Sequence, residues 1–231
     1  MYVAINIMLV VKRSLRLAVV LATTFAPLAC HHAPVQPPTL EGDGVAKSES
    51  REIQAFTSIE LRGALGVELT TGPLDKLVLT GDENVLSAVS TTVEDGVLIV
   101  RETQNVSSKT PLSLAVHAPL VKKVGVHGVA KLHATGLSET SFTLTCQGTA
   151  SAELTGAVDS LDVDMSGAGR VSAVDLVAKA AHVKVSGTGS VDVNATDTLS
   201  ATVSGVGSIR YKGSPKVDRN ISGVGKIEPI K

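Results

Sequence analysis

KVSGTGSVDV, residues 184–193, holds two glycines one residue apart with hydroxyl side chains on both sides. On its own it has the look of a phosphate-cradling loop. Such a loop occurs once, after a strand and before a helix. This run recurs. Downstream it reads VSGVGSIRY (203–211) and ISGVGKIEP (221–229). Upstream it reads MSGAGRVSA (165–173), CQGTASAEL (146–154) and VHGVAKLHA (126–134). The leading glycines are Gly128, Gly148, Gly167, Gly187, Gly205 and Gly223, separated by 20, 19, 20, 18 and 18 residues. A more distant copy, LRGALGVEL, begins at Leu61 around Gly63. A near-fixed period of this size is the mark of stacked repeats. No helical pattern follows any copy, so the glycines read as structural.

Parity around the glycines gives the element type. Val183, Val185, Gly187, Gly189, Val191 and Val193 share one parity, and Lys184, Ser186, Thr188, Ser190 and Asp192 share the other. Side chains alternate across a strand, so the first set faces inward and the second outward. The glycines are expected on the inward face, allowing close backbone approach or a bend where the interior narrows. Turn-forming stretches separate the copies: Gly156, Asn194 to Asp197, and Lys212-Gly213-Ser214-Pro215. Second short strands follow, such as Leu161 to Met165 and Leu199 to Val203. Each repeat is therefore a strand, a corner, a strand and a turn. The expected fold is all-β: a β-solenoid (β-helix-like) of stacked coils, about 18–20 residues per repeat, with successive coils about 4.8 Å apart. A column of small aliphatic residues needs few aromatics, and the aromatic content is 2%.

The array is expected to run from about residue 51 to 231 as one elongated domain, with residues 70–121 its irregular part. There LVLTGDENV (77–85) reads as strand, and STTV and GVLIV, joined by Glu94-Asp95-Gly96, read as a hairpin. SLAVHAP (113–119) leads into the regular coils. The spacing of 65 between Gly63 and Gly128 has room for about three coil-lengths of drifted repeat.

Lys12, Arg13 and Arg16 precede LAVVLATTFAPLA, then Cys30 and a polar stretch. A basic region, an apolar core and small residues before a cut describe a secretory signal over residues 1–29, with Met8 the natural start. The apolar run from Leu17 to Ala29 is too short for a span of about 20 residues. LAC at 28–30 resembles a bacterial lipobox, in which the cysteine is lipidated and becomes the new N-terminus. Pro27 departs from it, standing where Leu, Val or Ile is usual. Cleavage by the ordinary signal peptidase, after Ala26 or Ala29, is the alternative. His31 is not the Asp associated with inner-membrane retention, which leans to the outer membrane. Residues 30–50 then read as lipidated cysteine and Pro-rich tether. Removing residues 1–29 moves the formal charge from −1 to −4, which offers nothing to nucleic acid.

The other cysteine, Cys146, shares its place in the repeat with Met165, Val185 and Val203 and reads as a small buried hydrophobe without a positioned base. With Cys30 carrying lipid, no intramolecular disulfide is expected.

The units Ser166-Gly167, Ser186-Gly187, Ser204-Gly205 and Ser222-Gly223, the segment REIQAFTSIELRGALGVELTTG (51–72) and the run VEDGVLIV (93–100) together resemble the head GIN domain family, described as putative autotransporter adhesins. The resemblance covers about residues 50 to 231. It implies a β-solenoid carried by secreted or lipid-anchored bacterial envelope proteins, with no catalytic residues to carry over. Leu65, Ala130 and Ala150 stand where the later copies have a second glycine. No outer-membrane barrel follows Lys231, so the chain is expected not to export itself.

Two outward rows follow from the repeat: His127, Gln147, Ser166, Ser186, Ser204, Ser222, and His133, Glu153, Ser172, Asp192, Arg210, Glu228. Mixed signs avoid like-charge stacking. They read as a solvated face or as a polar platform for a glycan or another envelope protein, with little aromatic surface for sugar stacking. An enzyme of the polysaccharide-acting β-helix type would need carboxylates paired across a cleft. Asp162 and Asp164 share a strand face, with Asp192 in a later coil, so a weak cation site is conceivable. His31 and His32 fall on the tether, and His127 and His133 are about 20 Å apart at strand rise. No catalytic, cofactor or metal residues are assigned. The expectation is a non-catalytic, lipid-anchored, outer-membrane protein with an adhesin-like or scaffold head. A polysaccharide-acting enzyme or a small-ligand or cation-binding periplasmic protein is the alternative.

Overall fold

Alternation of buried aliphatic and exposed polar residues recurs through the computed structural model, which describes residues 38–230. The strands in chain order begin with β1 (Leu40–Glu41), β2 (Ala46–Arg51), β3 (Ser58–Arg62), β4 (Ala64–Thr71) and β5 (Leu77–Asp82). A one-turn helix, α1 (Glu83–Leu86), precedes β6 (Val89–Glu94), β7 (Val97–Glu102), β8 (Val106–Ser107) and β9 (Ser113–Ala118). The regular coils follow as β10 (Lys123–Val126), β11 (Val129–Leu137), β12 (Ser141–Cys146), β13 (Thr149–Met165) and β14 (Ala168–Val185). The last are β15 (Thr188–Val203), β16 (Val206–Lys212), β17 (Lys216–Ile221) and β18 (Val224–Pro229).

Two parallel ladders run the length of the stack and make it a β-solenoid. Before each glycine corner, β7, β3, β10 and β12 pair in turn, continued by the ends of β13, β14 and β15 and then by β17. After each corner the order is β9, β4, β11, the starts of β13, β14 and β15, then β16 and β18. Register stacks Leu98, Ile59, Val124, Leu144, Val163, Val183 and Ala201 into one buried column. Leu114, Val67, Leu132, Ala152, Val171, Val191 and Ile209 form a second. Each buried Val or Leu contributes about 1.5–3 kcal/mol, and the residue is small enough to repeat every coil. Phe142, fully buried, is the largest side chain in the middle of the stack, and Phe56 and Tyr211 are the other buried aromatics among the described residues.

Three expectations need correction. The chain between Gly63 and Gly128 does not form coils stacked between them, because β3 and β4 pair directly with β10 and β11. The intervening chain instead goes to the opposite side of the β3–β4 coil, where β7 and β9 build the coil beneath it. The solenoid thus grows in both directions from its first-made coil. Second, part of the expected tether is ordered. Within residues 38–50, β1 pairs with β8 and β2 pairs antiparallel with β5. The sequence AKSESR is polar because β2 lies at a sheet edge, mostly exposed, where alternation is not enforced. Third, the segment 77–85 ends in a helical turn after Asp82. The hairpin β6–β7 forms as expected, its turn made by Asp95 (φ 50°) and Gly96 (φ 75°).

The two ends of the stack differ. At the β7–β9 end, β6 caps β7 and β5 caps β9, both antiparallel. At the β17–β18 end, Arg219 takes the place in the first column that Ala201 holds one coil earlier. Its guanidinium donates to the Tyr211 hydroxyl at 2.7 Å and lies over that ring. A charged, exposed residue on this end strand discourages further pairing.

Candidate functional site

The repeated glycines sit at the corners, half-buried, and their constraint comes from the coil beneath. Ser186 and Gly187 both donate their N–H to the Met165 carbonyl (2.9 and 3.1 Å), and Thr188 donates to the Gly167 carbonyl at 2.9 Å. This turns the chain sharply and lays backbone on backbone. A Cβ at Gly187 would overlap the Gly167 carbonyl oxygen, and Gly128, Gly148, Gly167, Gly205 and Gly223 meet the preceding corner glycine in the same way. Close backbone approach is therefore the reason for these glycines; narrowing of the apolar interior is not. No nucleotide is implied by them, since the corner amides are used within the stack.

The two outward rows stack as register requires, and several of their charged and histidine side chains are committed to neighbours. His127 Nδ1 meets Gln147 Oε1 at 3.0 Å, and its Nε2 is hydrogen-bonded to Glu60. Lys123 Nζ lies 3.2 Å from the same carboxylate. Partial burial works to raise the Glu60 pKa, yet the bonds from His127 and Lys123 outweigh it and hold the carboxyl below its usual range. In the other row, His133 Nδ1 is 3.2 Å from Glu153. Asp192, 4% exposed, accepts both Nε (2.7 Å) and Nη2 (2.5 Å) of Arg210. These are interlocked surfaces, and His127 and His133 belong to separate clusters.

The weak cation site that Asp162, Asp164 and Asp192 made conceivable is not assembled. Asp192 stacks between Ser172 and Arg210, whereas Asp162 and Asp164 stack against His182 and Lys184. Among the described residues no group of three or more His, Cys, Asp or Glu side chains is arranged to hold a metal.

What the structure brings together instead is a shallow trough on the outer face of the pre-corner ladder. Asp162 and Asp164 project from β13, and His182 and Lys184 occupy the same positions one coil on in β14. Thr143 and Thr145 flank them on one side, and Ser200 and Thr202 on the other. The depression holds about 390 Å³, and the main chain at Val163 and Val183 lies beneath it, their side chains turned into the core. A second one, of about 460 Å³, adjoins it through His182 and Ser200 and reaches Lys216 and Asp218. His182 and Lys184 were not singled out from the sequence. Their offset of 20 from Asp162 and Asp164, the repeat length itself, was the available signal.

Cys146 is buried beneath Met165 in its column, and burial pushes its thiol up to about 11. It is a packing residue. Cys30, the histidines His31 and His32, and the expected signal over residues 1–29 lie outside the described residues. No helix among those described is long and apolar enough to cross a membrane.

Residues 55–215 match the family described as "Putative auto-transporter adhesin, head GIN domain". No curated protein matches the sequence. Among solved structures, one described as a putative adhesin from Bacteroides fragilis is 22% identical with a TM-score of 0.67, over 83% of this chain and 100% of that one. Another so described, from Parabacteroides merdae, is 21% identical with a TM-score of 0.50, over 84% and 99% of the two chains. At these identities the likeness concerns the fold.

Proposed function

The chain belongs to the head GIN domain family of putative auto-transporter adhesins, and from that premise we propose that it is a non-catalytic, adhesin-like binding head of the bacterial cell envelope. The observation that carries this reading is the family match across most of the solenoid, joined to an outer face that presents an uncommitted polar trough. A rigid stack of backbone-paired coils holds such a face in fixed geometry, which suits recognition without chemistry.

In this reading residues 1–29 direct export, Cys30 carries the lipid, and the short stretch before β1 links anchor to head. The anchor sits in the outer membrane and the head faces outward. The formal charge of −4 after residue 29 suits a partner that is neither nucleic acid nor a polyanionic surface. The test is protease treatment of intact cells that carry the full chain. Digestion of the head is the expected result. A head protected until the outer membrane is permeabilised would replace the adhesin with a periplasmic scaffold.

A further inference from the structure

Resting on the reading of the head as a binding module, we propose that Asp162, Asp164, His182 and Lys184 form a binding site for neutral oligosaccharides. Several charged side chains that neighbour one another across the coils are joined: Asp159 to Lys179 at 2.7 Å, Arg210 to Asp192 at 2.5 Å, Lys123 to Glu60 at 3.2 Å. The quartet differs. Asp162 pairs with His182 and Asp164 with Lys184 in register, about 4.8 Å apart. Among the described residues no ion pair within 4.0 Å joins any two of the four. The one side-chain partner of Asp162 is the Ser160 hydroxyl, at a long 3.5 Å.

The chemistry of the quartet selects its ligand. A carboxylate accepts and an ammonium donates, whereas a hydroxyl does both. The trough therefore lays a row of acceptors beside a row of donors, between two rows of hydroxyls. A sugar ring carries neighbouring hydroxyls that give a proton to one row and take one from the other. A polyanion would meet Asp162 and Asp164, and a polycation or divalent metal would meet Lys184. An extended peptide docks on a free strand edge or in apolar pockets. Here β13 and β14 are paired on both sides through this stretch, and no apolar pocket opens between the polar rows, because the Val163 and Val183 side chains point into the core. With no aromatic platform each ring is held by hydrogen bonds alone. The adjoining depression toward Lys216 and Asp218 lets a chain of several rings add its contacts along the stack.

The test is binding of maltohexaose, cellohexaose and chitohexaose to the purified full-length protein, by calorimetry or ligand-observed NMR. At least one of them should bind saturably, with an affinity that hardly changes with salt. Asp164→Asn and Lys184→Gln should each weaken it about tenfold while circular dichroism and melting stay as in the parent. Lys131→Gln, on an exposed position outside the trough, should bind as the parent does. The proposal is overturned if none of the three binds, if the trough variants bind equally well, or if acidic oligosaccharides bind better with a steep salt dependence. Its failure is separable from failure of the adhesin reading. A head digested on intact cells that binds none of the three hexasaccharides sinks the glycan site alone. A protease-protected head that still binds hexasaccharide sinks the surface-adhesin reading alone.

Discussion

Gly187 lies directly on Gly167, so close that the Gly167 carbonyl oxygen occupies the space a Cβ on Gly187 would need. The obstacle is main chain, held by the Thr188 N–H to Gly167 carbonyl bond at 2.9 Å. It cannot rotate away as a side chain could. Gly187→Ala should therefore already destabilise the head, by about 1–3 kcal/mol as an overpacking change, and Gly187→Val by more. Thr188→Ala, an exposed position on the same corner, should stay within about 0.5 kcal/mol. Urea denaturation midpoints for the three variants decide it. Equal midpoints for Gly187→Ala and Thr188→Ala would mean that the coils are not stacked backbone on backbone here.

The stacking was legible because the repeat is nearly uniform. Gly128 to Gly223 recur at 18–20 residues with constant parity, so a register error of one residue would turn every valine outward. What escaped was the part where uniformity stops. Chain order and stacking order part company between Gly63 and Gly128, and nothing in residues 72–122 announces that they cross to the far side of an earlier coil. The polar strand β2 was hidden for a related reason: an edge strand needs no buried alternate row, so AKSESR carries no apolar period. At the trough the acids are visible as a pair on one strand face, whereas His182 and Lys184 join them only through the repeat offset of 20 residues. Asp192 shares residue type with Asp162 and Asp164, but its position within the repeat places it after the corner and them before it.

Glu60 gives the head an acid-sensitive contact. Its folded pKa lies below the ordinary 4.5 because the bonds from His127 and Lys123 overcome the effect of partial burial. The folded state therefore binds the proton less readily than the unfolded chain. The stability this contributes is fully present above pH 4.5 and is lost as pH falls through the folded value. Hydrogen bonds from Thr110 and Lys109 hold Asp82 low in the same direction. Glu60→Gln should flatten the fall in melting temperature below pH 4.5, and Asp82→Asn that below pH 3.8. An acid limb unchanged in both variants would contradict the assignment.

Cys146 should be chemically silent in the folded head. Its side chain is fully buried in the column, and burial raises its thiol to about 11, so at pH 8 the thiolate is scarce and out of reach. Iodoacetamide should leave the Cys146 peptide unmodified in native protein and alkylate it in urea, as read by mass spectrometry. Rapid native alkylation would show that the β12–β13 ladder opens locally. Cys146→Ser should cost stability, because a hydroxyl replaces a thiol in an apolar column.

Cys30 decides how the head is held at the envelope. If LAC at 28–30 works as a lipobox, the mature chain begins at Cys30 and carries acyl chains, each buried CH₂ contributing about 0.8 kcal/mol to membrane attachment. The full-length protein should then partition into detergent and have a mass lower by residues 1–29 and higher by the lipid. Cys30→Ser removes the only side chain that can take the lipid at this position. It should release a soluble head or leave the precursor uncut. Cleavage by the ordinary signal peptidase makes a different pair of results: a soluble mature head in the parent and no change in the variant. A detergent-phase parent with an aqueous-phase Cys30→Ser protein supports the anchor. Identical partitioning and identical processed mass in the two proteins would remove it, and the retention of the head at the envelope would then rest on its outer face alone.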